Sequence, residues 1–576
     1  IIRCQKTGAH LCYGTLLIMA AGQSLSCHGS ESPGISESRY RDNIRVLASD
    51  AFEGRAPGTA GGAKTTAFIE RKFREAGLQP GNGDRYLQPV HLVSITTAYA
   101  QITVCSRDVE TVITHGEEIL VLARRVQRNL AVTDSELVFI GYGVVAPEYD
   151  WNDYQDIDVS GKTVLMLSND PGYLSGRDDQ FMGKGVTYYA RDSYKYEEAE
   201  RRGAAAAFII HDTEANSKDW LTHVEKHRKP RLVLNPVDEP PSSVLIEGYL
   251  SDEYASVLLH AAGLNYQKEK KKALSKGYKA QALGSRISAS LSSEFVASTS
   301  YNVLGKIPGT TRPGEYVIIL AHWDHLGRDR SRSGDQIFNG ARDNAAGVAS
   351  LIELGHAFIT AENRNRTIVV MAVTAEEGGL LGSYYYVKNP IYPLSKTVGA
   401  INLDMMNLYG KTNDVLVHGI NNSPLMDAVI KEAIEQKQGR QVKPFGLPEA
   451  GIAYRNDGFS FNRSGIPTIG LASGVEHLRN GRNWMQAKIE DYFTHHYHQV
   501  SDEYEDGMDF SGAILDTAAL FYIATSLANS EQFAHWYENR EFKYLRDVQL
   551  SDPDAENGYA VPAPHPFSKS DDGLRD

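Results

Sequence analysis

Apolar residues follow different periods in different parts of this chain. Ile44 and Leu47, then Phe68, Ile69 and Phe73, mark two amphipathic helices with a Gly-rich turn, EGRAPGT, between them. The second helix stops at Gly77, ahead of Pro80, and a strand-rich stretch follows to about residue 130. Short apolar strands at Leu137–Ile140, Val164–Leu167, Ala206–Ile210 and Ser243–Ile246 then predict a separate unit over 131–292. It also holds a helix over Tyr196–Gly203, a Pro-rich loop (Asn235–Pro241) and a Lys-rich helix, Lys268–Lys272, that reads as a solvated face. From about 298 the pattern changes again. Tyr316–Leu320, Thr367–Val373, Val398–Leu403 and Thr468–Leu471 are strands, alternating with helices such as Val348–Ile359 and one opened by Ser423-Pro424 and closed at Gly439. The alternation predicts an α/β fold with a mixed, largely parallel sheet flanked by helices. In such sheets ligands bind beyond the carboxyl ends of the strands.

At 576 residues the chain should hold two or three domains, and 42% hydrophobic with 23% charged residues excludes a disordered chain. A net charge of −13 argues against nucleic acid as a partner. Three of the four cysteines (Cys4, Cys12 and Cys27) fall in the first 27 residues, leaving Cys105, so neither a disulfide framework nor a thiolate metal site is expected. Basic Arg3, Lys6 and His10 before the apolar run Leu11–Ala21 give residues 1–27 the shape of a signal peptide. Export to the periplasm, the outer membrane or the medium of a bacterium is the expectation, with Cys27 a candidate for lipidation. No other stretch reads as long and apolar enough to span a membrane. Residues 546–576 read as a polar tail.

The chemistry lies at the strand ends. The strand at 316–320 runs into Ala321-His322-Trp323-Asp324-His325; the next ends in Thr374-Ala375-Glu376-Glu377; the third ends in Asp404; and Asp343-Asn344 precedes helix Val348–Ile359. Four segments thus bring His or carboxylate to one sheet edge. Burying several carboxylates together is costly without a neutralising cation. His and carboxylate ligands without thiolate suit zinc in a hydrolytic site. Two zinc ions sharing one bridging carboxylate need five protein ligands. His322, Asp343, Glu377 and Asp404 supply four, and the second His comes from His495, His496 or His498.

In order, AHWDHLG, NGARDNAAG, AVTAEEGGLLGS, INLDMMN and YHQVSDEY resemble metallopeptidase family 28, over about residues 40 to 545. The resemblance implies a zinc-exopeptidase catalytic domain from segments 37–130 and 297–545, with 131–292 inserted as a β-rich protease-associated domain. It implies a two-zinc aminopeptidase acting on peptides, with Asp343 bridging, His322 and Asp404 completing one site, and Glu377 and His498 the other. Glu376 would be the general base and Asp324 the partner fixing the His322 tautomer. Tyr454 is a candidate hydrogen-bond donor to the oxyanion. Where relatives tend to read Ser-Asp-His, this chain has Asn456-Asp457-Gly458, which puts specificity in question. Within the same resemblance stand a glutaminyl cyclase, an acidic-dipeptide carboxypeptidase (with Arg455 and Arg463 as its nearby cations) and a metal-free binding protein. Side-chain preference and oligomeric state are not legible. Trp323, Tyr384, Tyr385 and Tyr386 read as core, and Asp329, Arg330 and Arg332 as a solvated loop.

Overall fold

The computed structural model describes residues 34–551 except 178, 214–217, 238–243, 362–363, 447–448, 450 and 539. The expected leader with Cys27, part of the Pro-rich loop and most of the polar tail lie outside the described residues. Those described fall in one compact unit built around a sixteen-stranded sheet.

Strands Thr397–Asn402, Arg312–His322 and Arg366–Val373 are adjacent and parallel, with Arg312–His322 in the middle. Thr468–Ser473 extends the parallel run beyond Thr397–Asn402. All four are buried along most of their length, as near-continuous apolar runs in a sheet covered on both faces require. Helices Ala346–Thr360 and Ser511–Asn529 pack in the large core on one face. Ser511–Asn529 is long and apolar enough to cross a membrane, but most of it is buried in this core.

One strand, Gln281–Ile307, ties the two halves of the sheet together. Its end, Val303–Ile307, pairs with Arg366–Val373, while its first part pairs with Leu87–Ser106 and Asn129–Phe139. Beyond it lie the parallel strands Thr163–Leu167, Ala206–His211 and Ile246–Ser251. These build a second core that draws on residues from Val93 to Leu291. The strand expected at Ser243–Ile246 begins at Ile246 instead. In the Lys-rich helix Tyr266–Lys272, Lys270 pairs with Asp212 rather than standing free in solvent.

Candidate metal centre

Because the three central strands are parallel, their carboxyl ends lie at one edge. His322 ends the middle strand, Asp404 lies two residues beyond Asn402, and Glu376-Glu377 lie beyond Val373. The turns that aim them hold φ angles uncommon for residues other than glycine: +54° at Ala375, +51° at Met405 and +59° at His498.

The geometry centres on Asp343. Its Oδ1 lies 3.3 Å from His322 Nε2, and its Oδ2 lies 3.2 Å from His498 Nε2. His322 Nε2 is also 3.3 Å from Asp404 Oδ1, and His498 Nε2 is 3.2 Å from Glu377 Oε2. Neighbouring donors of a tetrahedral site with ~2.0–2.1 Å bonds lie roughly 3.3 Å apart, so the donor set fits a metal ion on either side of Asp343. His322, Asp343 and Asp404 form one group able to hold a metal, and Asp343 and Glu377 form another with His325. His325 hydrogen-bonds Glu377, with Nδ1 at 2.8 Å from Oε1, and its ring meets that of His498. His498 contacts both carboxylates and is the better placed of the two. His495 and His496 turn instead to Asp491.

The electrostatics favour positive charge here. Burial alone would lower the His322 pKa, yet Glu376, Asp343 and Asp404 hold it well above its usual value. Burial would raise the Asp343 carboxyl, but His322 and His498 hold it well below. Glu376 is pushed well above the usual carboxylate range, by burial first and then by Glu377 and Asp457 against the opposing pull of His322. That is the direction a proton acceptor working near neutral pH needs.

The supporting residues are as telling as the donors. His322 Nδ1 lies 3.2 Å from the Asp324 backbone carbonyl, while the Asp324 carboxylate is at 3.9 Å. Asp324 does orient the imidazole, but through its main chain. Its carboxylate instead accepts the backbone N–H groups of Glu376 (3.1 Å) and Glu377 (3.4 Å) and so holds the acidic turn. Asp502 does the same for Arg342 and Asp343, accepting their N–H groups at 3.0 and 3.1 Å. Arg55, fully buried, donates to the carbonyls of Leu47, Trp323, Asn339 and Gly340, clamping the loops that carry His322 and Asp343. Gly54 makes that clamp possible: its φ is +67°, and a Cβ there would lie 2.3 Å from the Gly327 carbonyl oxygen.

Three placements differ from expectation or were missed. Tyr454 does not face the donors: its ring packs on Phe459 at 5.6 Å and its hydroxyl bonds Glu541, so it is not placed to meet an oxyanion. Tyr497 is the tyrosine at the centre, stacked on His498 at 3.9 Å. Asp457 is fully buried near Asp404 and His322, its carboxyl pushed up to about 7 chiefly by burial. Asn456-Asp457-Gly458 stood out in the sequence, but nothing there marked Asp457 as belonging to the centre. At Gly458 a Cβ would lie 2.8 Å from Thr468 Cγ2 and 2.9 Å from Asn456 Oδ1, so no larger side chain fits without movement.

An α/β sheet with a cluster of His and carboxylate at its carboxyl edge defines a hydrolase-like metal centre. Residues 302–520 match the model of peptidase family M28. The leupeptin-inactivating enzyme 1 of Streptomyces exfoliatus is 29% identical over 187 residues, 32% of this chain and 38% of that protein. A glutamate carboxypeptidase 2 homolog of Caenorhabditis elegans is 28% identical over 159 residues, 27% of this chain and 18% of that one. The matched stretches thus span well under half the length of either relative. Among solved structures, an aminopeptidase from Aneurinibacillus sp. strain AM-1 aligns over 86% of this chain and 94% of its own, with 17% identity and a TM-score of 0.47.

Proposed function

We propose that this protein is a zinc-dependent exopeptidase, an aminopeptidase that binds two zinc ions and removes residues from peptide N-termini. The observation that carries the reading is Asp343, whose two carboxylate oxygens each face a different histidine. In this reading His322, Asp343 and Asp404 hold one ion, and Asp343, Glu377 and His498 the other. Bound zinc supplies Lewis acidity and a water made acidic enough to attack at neutral pH. Glu376 takes the proton of the attacking water and passes it to the leaving amine. Asp324, Asp502 and Arg55 keep the donors and the base in register.

A cavity of ≈ 730 Å³ begins at Asp404 and Met405 and is walled by Leu416, Phe445 and Leu471. Its apolar walls suit an apolar N-terminal side chain. The test is bound metal and hydrolysis of aminoacyl-nitroanilides on one purified sample, before and after chelation. Two zinc per chain, with leucyl turnover lost on chelation and restored by zinc, are expected. A metal-free protein without turnover would sink the reading.

A further inference from the structure

A second cavity, of ≈ 670 Å³, has a different character. Gly378 and Gly379, directly after Glu377, form part of its wall, so it opens beside the centre. Arg191 and Lys226, from elements well before the donors in sequence, line it as well. In a chain of net charge −13 this lining is notably cationic.

The cations there divide into two sets. Arg124 and Arg231 pair with Glu247, and Arg463 pairs with Glu197. Arg191, Lys226 and Arg455 also line the cavity, and among the described residues none of them has an ion-pair partner. Arg191 lies over the Phe459 ring at 4.8 Å, with one long contact from its Nε to Ser193 Oγ at 3.5 Å. Asp192 lines the cavity too and acts on Arg191 and Lys226 as a partial counter-charge, while its Oδ2 accepts the Tyr249 hydroxyl at 2.7 Å. Burial, and then repulsion from Arg455 and Lys218, lower the Lys226 pKa. With cations in excess of carboxylates around one cavity, a further anion is favoured there.

We infer that this cavity receives a carboxylate on the leaving-group side of the scissile bond, held by Arg191, Lys226 and Arg455. The substrate class is then a peptide with an apolar N-terminal residue followed by an acidic residue or a free carboxyl terminus. This inference rests on the peptidase reading, since that reading sets which side of the bond the cavity serves.

The experiment uses three non-cleavable isosteres in which a methylene-amine replaces the scissile amide: Leu-Glu-amide, Leu-Gln-amide and Leu-Gln with a free terminus. Each is titrated calorimetrically into the zinc-loaded full chain, its Lys226→Glu variant and its Arg455→Glu variant. The wild type should bind at least one carboxylate-bearing isostere about tenfold more tightly than Leu-Gln-amide, the scale of a charge-assisted contact. The side-chain and terminal arms show which carboxylate is read. Either variant should erase the preference, and raised salt should shrink it. Binding of all three within twofold, no measurable binding of any, or a preference that survives both substitutions overturns the inference. Turnover of leucyl-nitroanilide on the same sample reports separately: turnover without preference removes only the anion subsite, and preference without turnover removes only the peptidase reading.

Discussion

The two sides of the centre bury charge in opposite ways. At the sheet's carboxyl edge, His322, Asp343, Glu377, Asp404 and His498 face one another at 3.2–3.3 Å, and each anion has a cationic or metal-binding neighbour. In the cavity beyond Gly378, Arg191, Lys226 and Arg455 have no ion pair among the described residues, and Asp192 is the anion that acts on the first two. In the first arrangement the chain supplies donors of both signs; the second is the one proposed above to take an anion from outside. A centre that must hold metal firmly is built from segments anchored in the sheet; a subsite that must release its ligand is built across two cores from surface side chains.

The sharpest break of this comparison is at the centre. Glu376→Gln should lower kcat about 10²–10⁴-fold, the range of a lost general base, while metal content stays at the wild-type value. Asp343→Asn should lose metal as well as turnover, since it removes charge shared by both halves of the donor set. Elemental analysis beside nitroanilide kinetics checks both; an active Glu376→Gln would remove that residue from the mechanism.

Next in size is Arg55→Met. It leaves four carbonyls without their shared donor, and unfolding in denaturant should show a loss of about 3–5 kcal/mol. Weaker zinc binding in the folded variant would show that the clamp serves the donors as well as the fold. Unchanged stability and affinity would reduce Arg55 to a bystander.

Tyr454→Phe tests the displaced tyrosine. Its hydroxyl is spent on Glu541, so kcat should change less than about threefold, against the roughly hundredfold loss expected of an oxyanion donor. The smallest effect concerns Glu541, whose carboxyl is pushed up from 4.5 to about 8, first by burial, in the folded chain. The folded state then holds a proton that the unfolded state has released. The contribution to stability is complete below 4.5 and lost as pH rises to about 8. Glu541→Gln should flatten the pH dependence of Tm across that window; an unaltered profile would show that Glu541 does not titrate there.

Much of the fold was legible because parallel strands buried on both faces leave runs such as Tyr316–Leu320 and Thr367–Val373, which the structure extends by only a few residues. His322, Glu377 and Asp404 were legible because each follows such a run, whereas Asp343 stands ahead of a helix and His498 in a loop. Periodicity could not place what depends on backbone aim rather than residue type. Asp324 works through a carbonyl and two accepted N–H groups, Arg55 reaches four carbonyls from a turn some 270 residues distant in sequence from Trp323, and Tyr454 points away. The Arg patch of the second cavity was visible only as Arg455 and Arg463, because Arg191 and Lys226 arrive from another core.

The sequence by itself determined the α/β alternation and the identity of the metal-binding residue types at the strand ends, since both follow from local burial and spacing. Tertiary structure alone decided that His325 as well as His498 meets Glu377, that Tyr497 stacks on His498, and which cations gather around the second cavity. Those are contacts between segments far apart in the chain, fixed by how two cores share one sheet through Gln281–Ile307.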